Sequence, residues 1–161
     1  MWSDGTGTFY ADDFQLIGKI APTANKLIPL LNSGFEDGDL NSWTVLGNSV
    51  VETSDTTTGK FSLKVTDDQG LERLVEGLTP NTMYDVSVIA KVRKGGWASL
   101  GVRDYGDSEI YTPIVASEYS EIKLSFMTGK DSTSALIYFW NDGEETAYFD
   151  DFKMMTYVPE N

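Results

Sequence analysis

Cysteine and histidine are both absent from this chain of 161 residues. Without cysteine there is no disulfide framework and no thiolate site for catalysis or metal binding. Without histidine the chain lacks the most common general base and the most common metal ligand, which excludes lyases that depend on a histidine base. Any metal site must therefore be built from oxygen atoms, which favours calcium.

Basic residues are also scarce. The chain has 12 Lys and Arg against 25 Asp and Glu, which gives a formal charge of -13 at pH 7. This negative charge argues against binding to nucleic acid or to an anionic membrane through a general positive field. No apolar run is long enough to cross a bilayer. We therefore expect neither nucleic acid nor a membrane among the partners.

Helical periodicity is missing as well, and short alternating segments recur between turns rich in Gly, Pro, Asn and Asp. The best example is residues 83–93, where Tyr84 and Val86 fall on one face while Asp85 and Ser87 fall on the other. The predicted strands of the main module are residues 27–31, 43–46, 49–52, 61–65, 71–75, 83–93, 97–104, 119–128, 134–140 and 147–154. The pattern predicts an all-β sandwich of two antiparallel sheets.

One phrase occurs twice in the chain. Residues 7–16 (GTFYADDFQL) echo residues 145–154 (ETAYFDDFKM). We interpret residues 1–18 as the terminal strand of a preceding, similar module and residues 19–26 as a linker. Residues 27–161 would then form the complete module.

Two adjacent acids interrupt the last predicted strand. Strict alternation places Tyr148, Asp150 and Phe152 on one face, and Phe149 and Asp151 on the other. Whichever face is buried therefore receives an acid, and an ionised carboxylate there must be paired, hydrogen-bonded or bound to a metal. The alternative is a solvated pair of acids at the end of a strand.

Aromatic and basic residues recur on the faces of the predicted strands that point away from the core. Sugar rings bind protein by stacking on aromatic rings and by hydrogen bonds to planar polar groups. The candidates on one such face are Trp97, Tyr138 and Trp140 for stacking, and Lys91, Arg93 and Arg103 as donors. Tyr105 and Tyr111 are expected to contribute from a loop. The alternative is that Tyr138 and Trp140 belong to the core and that the cations pair with acids.

A set of short motifs, in this order and spacing, resembles the β-jelly-roll carbohydrate-binding modules of the family 4, 9, 16 and 22 type. The matching segments are residues 32–38 (NSGFEDG), Trp43, residues 59–65 (GKFSLKV), residues 77–84 (GLTPNTMY) and residues 147–152 (AYFDDF). The resemblance implies a jelly roll that binds polysaccharide without cleaving it. It further implies a secreted, extracellular protein in which a catalytic domain is covalently linked. Trp43 would be a core residue, and we expect a monomer.

The same resemblance implies a structural calcium ion that joins the turn at Phe35 to the last strand. Its ligands would be the Gly34 carbonyl, the Glu36 side chain, the Lys60 carbonyl and the Asp150 side chain. Carboxylates mixed with carbonyls are the ligands that calcium prefers.

The cations on the predicted binding face suggest an acidic polysaccharide such as alginate, because arginine suits carboxylate and sulfate groups. A neutral β-glucan or xylan is the alternative ligand, and a structural spacer without glycan binding is an alternative function. An enzyme is the last alternative, since no carboxylate cluster stands out beyond the acids that the resemblance assigns to metal.

Overall fold

The structure is a computed structural model that describes residues 25–157. Within that range the chain forms β-strands without any helix, and no segment is a helix that could span a membrane. The strands are β1 (Thr44–Leu46), β2 (Val50–Glu52), β3 (Ser62–Val65), β4 (Asp68–Glu76), β5 (Met83–Val92), β6 (Ala98–Arg103), β7 (Ile110–Ile114), β8 (Ser120–Met127), β9 (Ser134–Asp142) and β10 (Ala147–Thr156).

The strands build two five-stranded antiparallel sheets. The first sheet has the order β1-β4-β9-β6-β7, and we call it the groove sheet because a groove crosses its outer face. The second sheet has the order β2-β3-β10-β5-β8. Strands that follow one another in the chain therefore often lie in different sheets, as β5 and β6 do. The predicted all-β sandwich is confirmed.

The core lies between the two sheets and is filled by alternate residues of their strands. In β5 the face that carries Tyr84, Val86 and Val88 is buried as the sequence predicts. Trp43 is also a core residue, as predicted, because its ring packs against Phe139 with 5.2 Å between the ring centroids. Burial of these apolar side chains supplies the main driving force for folding.

The last strand departs from the predicted alternation. Its pairing with β5 shifts register between Asp150 and Lys153, and Asp151 has a φ of 51° in the left-handed region. The shift is a β-bulge, which inserts an extra residue and exchanges the faces beyond it. Phe149 and Phe152 therefore both reach the core. The prediction that Asp150 shares a face with Phe152 is wrong, because the bulge lies between them.

Two other strand predictions were wrong. The segment predicted as a strand at residues 27–31 forms only an isolated bridge between Leu27 and Met155. The segment at residues 110–114, which was expected to be part of a loop, is the edge strand β7. The predicted terminal strand at residues 1–18, and all but the end of the predicted linker, lie outside the described residues.

Candidate functional site

A groove of about 580 Å³ runs over the outer face of the groove sheet. Its walls and floor combine aromatic rings with charged and hydroxyl groups. The lining residues are Leu46, Glu72, Trp97, Ser99, Arg103, Glu109, Tyr111, Tyr138, Trp140 and Asp142. A concave surface of this composition can hold an apolar ring face while polar groups orient it.

Strand register places the two central aromatic residues of β9 opposite small partners. Trp140 lies between Gly70 of β4 and Ser99 of β6. Tyr138, two residues earlier on the same face, lies beside Gly101 of β6. Because side chains two residues apart share one face of a strand, both rings point into the groove.

The two glycines provide the space that these rings occupy. A methyl group on Gly70 would overlap the Trp140 ring, and a methyl group on Gly101 would overlap the Tyr138 ring. The indole of Trp140 therefore lies over β4, and the phenol of Tyr138 lies over β6. The two rings lean in opposite directions from β9 and cover the floor of the groove.

Two further aromatic residues stand on the β6 and β7 side of the groove. Trp97 precedes β6 and is 38% exposed, while Tyr111 lies on β7 and is 54% exposed. Their ring centroids are 6.1 Å apart and the ring planes are nearly perpendicular at 86°. Exposed aromatic surface next to polar groups is the usual composition of a binding surface.

Hydrogen bonds fix the position of Trp140 and of Ser99. The Trp140 Nε1–H donates to Asp68 Oδ1 at 2.8 Å, and the Ser99 hydroxyl donates to Asp142 Oδ2 at 3.1 Å. Asp68 and Asp142 are register partners on β4 and β9. Trp140 therefore has its indole edge held at one end of the groove while its ring face stays on the floor.

An ion pair crosses the middle strand of the groove sheet. Arg103 of β6 donates to the Glu72 carboxylate of β4, and β9 lies between these two strands. The Arg103 guanidinium is also 5.8 Å from the centroid of the Tyr138 ring. The pair thus neutralises the cation of Arg103 inside the groove.

The groove is acidic. Among the described residues, its lining contains the carboxylates of Glu72, Glu109 and Asp142 against the single cation of Arg103. Burial raises the pKa of Asp142 above its ordinary value, with a further contribution from Asp68 that the Ser99 hydrogen bond opposes. Burial and a hydrogen bond to Glu109 likewise raise the pKa of the Tyr138 phenol, so it remains a neutral donor.

The structure brings together four of the six residues predicted for ligand binding: Trp97, Tyr138, Trp140 and Arg103 all line the groove. Lys91 and Arg93 do not, which corrects the prediction. Lys91 belongs to β5 in the second sheet, and Arg93 follows that strand as an exposed residue. Alternation showed that both residues face away from the core, but it carried no information about which sheet they occupy.

Lys91 has partners of its own on the outer face of the second sheet. Its ammonium group is 2.7 Å from Asp55 Oδ1 and 4.4 Å from the centroid of the Tyr119 ring. It is also 5.1 Å from the centroid of Tyr148. This arrangement combines an ion pair with two cation–π contacts, which accounts for the position of Lys91 without any ligand.

Of the two tyrosines expected beside the site, Tyr111 lines the groove from β7, whereas Tyr105 is a buried residue that packs on Phe126. Five groove residues were not among the candidates of the sequence analysis: Leu46, Glu72, Ser99, Glu109 and Asp142. Alternation within β4 would have placed Glu72 on an outer face. No sequence signal identified Glu109, which precedes a strand that was not predicted.

The residues predicted to bind calcium lie around the loop between β2 and β3. The Glu36 carboxylate accepts hydrogen bonds from the backbone N–H of Lys60 at 3.1 and 3.0 Å and from that of Phe61 at 3.1 Å. The fully buried Asp150 accepts from the backbone and hydroxyl of Thr57. Carboxylate oxygens are ligands that suit calcium, and in this structure both carboxylates accept hydrogen bonds from the loop. Among residues 25–157, no group of three or more acidic side chains could hold a metal by itself.

Comparison with curated proteins finds a relative of known activity. Over 129 residues the chain is 36% identical to keratan-sulfate endo-1,4-beta-galactosidase of Sphingobacterium multivorum. The match covers 78% of this chain but only 31% of the relative. The chain thus spans about a third of the length of that enzyme.

Solved structures with the same fold include two carbohydrate-binding modules. A family 61 module in complex with β-1,4-galactotriose superposes with a TM-score of 0.63 at 20% identity and covers 80% of this chain and 97% of that one. A family 22 xylan-binding domain from Paenibacillus barcinonensis superposes with a TM-score of 0.66 at 18% identity and covers 87% and 100%. At these identities the likeness establishes the fold alone.

A family model described as "Carbohydrate binding domain", for families 4 and 9, matches residues 29–146. The match includes the nine strands β1 to β9 in full and every residue that lines the groove. It also agrees with the resemblance derived from the short sequence motifs. The chain therefore belongs to this family of carbohydrate-binding domains.

Proposed function

We propose that this chain is a non-catalytic module that binds a polysaccharide in the groove formed by β4, β9, β6 and β7. The observation that carries the proposal is the combination of four aromatic rings with carboxylate and hydroxyl groups in one open groove. Aromatic faces stack on the C–H faces of pyranose rings, while carboxylates accept hydrogen bonds from sugar hydroxyls.

Different side chains would carry different parts of this binding. Trp97, Tyr111 and Trp140 would stack on sugar rings, because Trp97 and Tyr111 are exposed and Trp140 has its edge held by Asp68. Glu109 and Asp142 would accept hydrogen bonds from hydroxyls. Charged acceptors form stronger hydrogen bonds than neutral ones, so two of them add selectivity for a polyhydroxylated ligand.

The charge of the groove favours a neutral glycan. Among the described residues, the groove lining contains three carboxylates and one cation, Arg103. That cation already pairs with Glu72. An anionic polymer would be repelled by Glu109 and Asp142. The alginate hypothesis rested on Lys91 and Arg93 as well as Arg103, and two of these three residues lie outside the groove.

The comparisons suggest which neutral glycan to test first. The curated relative is a keratan-sulfate endo-1,4-beta-galactosidase, so its name refers to β-1,4-galactosidic bonds in a sulfated glycan, and the family 61 module was solved with β-1,4-galactotriose. The β-1,4-galactosyl linkage is common to both names, and the acidic lining of the groove favours a chain without sulfate. We therefore propose a β-1,4-linked galactosyl chain as the ligand. Xylan is the second candidate, because the family 22 neighbour is a xylan-binding domain.

Affinity electrophoresis would test the proposal with β-1,4-galactan, xylan, laminarin, keratan sulfate and alginate in separate gels. We expect retardation by β-1,4-galactan that changes little between low and high salt, since neutral ligands release no counterions. Retardation by alginate or keratan sulfate but by no neutral glycan, lost at high salt, would overturn the neutral-ligand proposal. No retardation by any glycan would favour a structural spacer.

The family and the length of the relative support a proposal about the longer protein to which this module belongs. Because the chain matches about a third of a glycan-degrading enzyme, we propose that it is linked to a catalytic domain in a longer, extracellular protein. The repeated phrase at residues 7–16 supports a preceding module of the same kind. Two such modules on one chain would raise the avidity for a polymer with repeating sites.

We also propose a structural calcium ion held by the Gly34 and Lys60 carbonyls and by the Glu36 and Asp150 side chains. Glu36 and Asp150 accept hydrogen bonds from the same loop. The two carboxylates that would bind the ion therefore belong to segments that are held close together. Calcium would bind these oxygens and add to the stability of the loop. Removing calcium with a chelator should lower the melting temperature, and Glu36→Gln should abolish that effect. An unchanged melting temperature in the wild type would overturn the calcium proposal.

A further inference from the structure

Gly101 lies in the groove sheet between two tyrosines that line the groove. On β6 it is the register partner of Tyr138 in β9 and of Tyr111 in β7. Gly101 is buried, and its φ is not in the left-handed region. An alanine could therefore adopt the same backbone conformation. The need for glycine at this position comes from the space above it and not from the backbone.

Tyr138 fills that space. The three atoms nearest to a methyl group built on Gly101 all belong to the Tyr138 side chain, namely Cζ, Oη and Cε1. The carboxylate of Glu109, the residue that precedes β7, is close enough to the phenol of the same ring to raise its pKa. Tyr138 therefore starts on β9, crosses β6 over Gly101 and ends at the beginning of β7.

Gly70 differs from Gly101 in what surrounds it. A methyl group on Gly70 would meet the backbone carbonyl oxygen of Phe139 as well as the ring of Trp140. Substitution of Gly70 would thus disturb the pairing of β4 with β9. At Gly101 the three nearest atoms all belong to one side chain, which can rotate.

We propose that Gly101 is a positioning residue of the glycan-binding groove, and that it keeps the Tyr138 ring flat against β6 so that the groove stays open for a sugar ring. This inference rests on the proposed function. Any side chain at position 101 forces the phenol to rise from the sheet. The ring then enters the volume lined by Trp97, Tyr111 and Trp140, and its hydroxyl leaves Glu109.

A binding experiment tests the effect on the ligand. The affinity for β-1,4-galactotriose and for xylotriose is measured by calorimetry in wild type, Gly101→Ala and the control Gly143→Ala. Gly143 has open space where a methyl group would lie and has no left-handed φ. We expect Gly101→Ala to weaken binding roughly tenfold or more, as loss of a well-packed contact does, and Gly143→Ala to leave it unchanged.

A double-mutant cycle separates positioning from a general structural effect. In the Tyr138→Ala background the methyl group of Gly101→Ala meets no ring, so the second substitution should change the affinity less than twofold. An equal loss of affinity in both backgrounds would overturn the proposal. So would an affinity of Gly101→Ala equal to that of the wild type.

A measurement without glycan tests the position of the ring directly. Nitration of tyrosines by tetranitromethane, followed by mass spectrometry, reports the accessibility of each phenol. Tyr138 should react slowly in the wild type and several times faster in Gly101→Ala, while Tyr157, which is exposed and does not line the groove, serves as the internal reference. An unchanged rate at Tyr138 would overturn the proposal even if no glycan binds. If the wild type binds no glycan but Tyr138 is nitrated faster in Gly101→Ala than in the wild type, the proposed function is wrong. The positioning of Tyr138 by Gly101 is then still confirmed.

Discussion

The buried carboxylate of Asp150 accepts hydrogen bonds from the Thr57 hydroxyl at 2.7 Å and from the Thr57 backbone N–H at 3.0 Å. It also accepts from the N–H groups of Thr58 and Asp151. A side chain of the last strand thereby holds a loop more than 90 residues earlier in the chain. These hydrogen bonds compensate for the burial of the Asp150 charge and fix the loop against the last strand.

Replacing this carboxylate should destabilise the protein without altering the groove. For Asp150→Asn we expect a loss of about 2 to 4 kcal/mol in the free energy of unfolding, because a charged acceptor with several donors becomes a neutral one. Urea unfolding measures the change, with a chelator present so that any calcium contribution is excluded. An unchanged unfolding midpoint would show that the contacts with Thr57 and Thr58 contribute little.

Trp97 and Trp140 should each contribute to glycan binding. We expect Trp97→Ala and Trp140→Ala to weaken binding roughly tenfold or more, because each removes a large aromatic face from the groove. Calorimetry with the glycan retained in affinity electrophoresis measures the loss. Tyr157→Ala is the matched control, since Tyr157 is also exposed but does not line the groove. Equal losses in the control would show that the effect is not specific to the groove.

Asp142 should make stability depend on pH. Asp142 is exposed as a whole, but partial desolvation of its carboxyl group raises the pKa above the ordinary value of 3.8. The folded state therefore binds the proton more tightly than the unfolded state. Ionisation of Asp142 therefore disfavours the folded state as the pH rises through the raised pKa, and the penalty disappears below the ordinary pKa.

The substitution Asp142→Asn removes that ionisation. We expect a higher free energy of unfolding than in the wild type at pH 7, and a difference that shrinks as the pH falls towards the ordinary carboxyl pKa. Urea unfolding at a series of pH values gives the comparison. A difference that grows on acidification would contradict the direction of the shift.

Gly59 should tolerate substitution poorly for two reasons. Its φ of 62° is in the left-handed region, and a methyl group there would overlap the Glu36 carboxylate. Gly95 is the matched control, because it also has a left-handed φ, 91°, but open space around the methyl position. We expect Gly95→Ala to cost about 1 kcal/mol from backbone strain and Gly59→Ala to cost clearly more. Thermal unfolding of the two variants compares them, and equal costs would exclude a contribution from Glu36.

The fold was largely predictable because alternation within a strand is a local property. Tyr84 and Val86 were assigned to the core from their spacing alone, and the structure buries both. The core position of Trp43 came instead from the resemblance to known modules. Where the prediction failed, an irregular feature was responsible: the bulge beyond Asp150 exchanged the faces of the last strand.

Composition and alternation establish an all-β sandwich of acidic character without thiol or imidazole chemistry. They left open whether Tyr138 and Trp140 point outward or into the core, and the structure places both in the groove. Which outward-facing residues lie side by side depends on the order of the strands in each sheet. Lys91 and Arg103 both face away from the core, yet β5 and β6 belong to different sheets. The periodicity of a strand fixes the side of a residue relative to its own backbone, whereas neighbours in a sheet are chosen by long-range pairing. That pairing places Glu72, Glu109 and Asp142 in the groove. The groove is therefore acidic, whereas the sequence predicted a basic binding face.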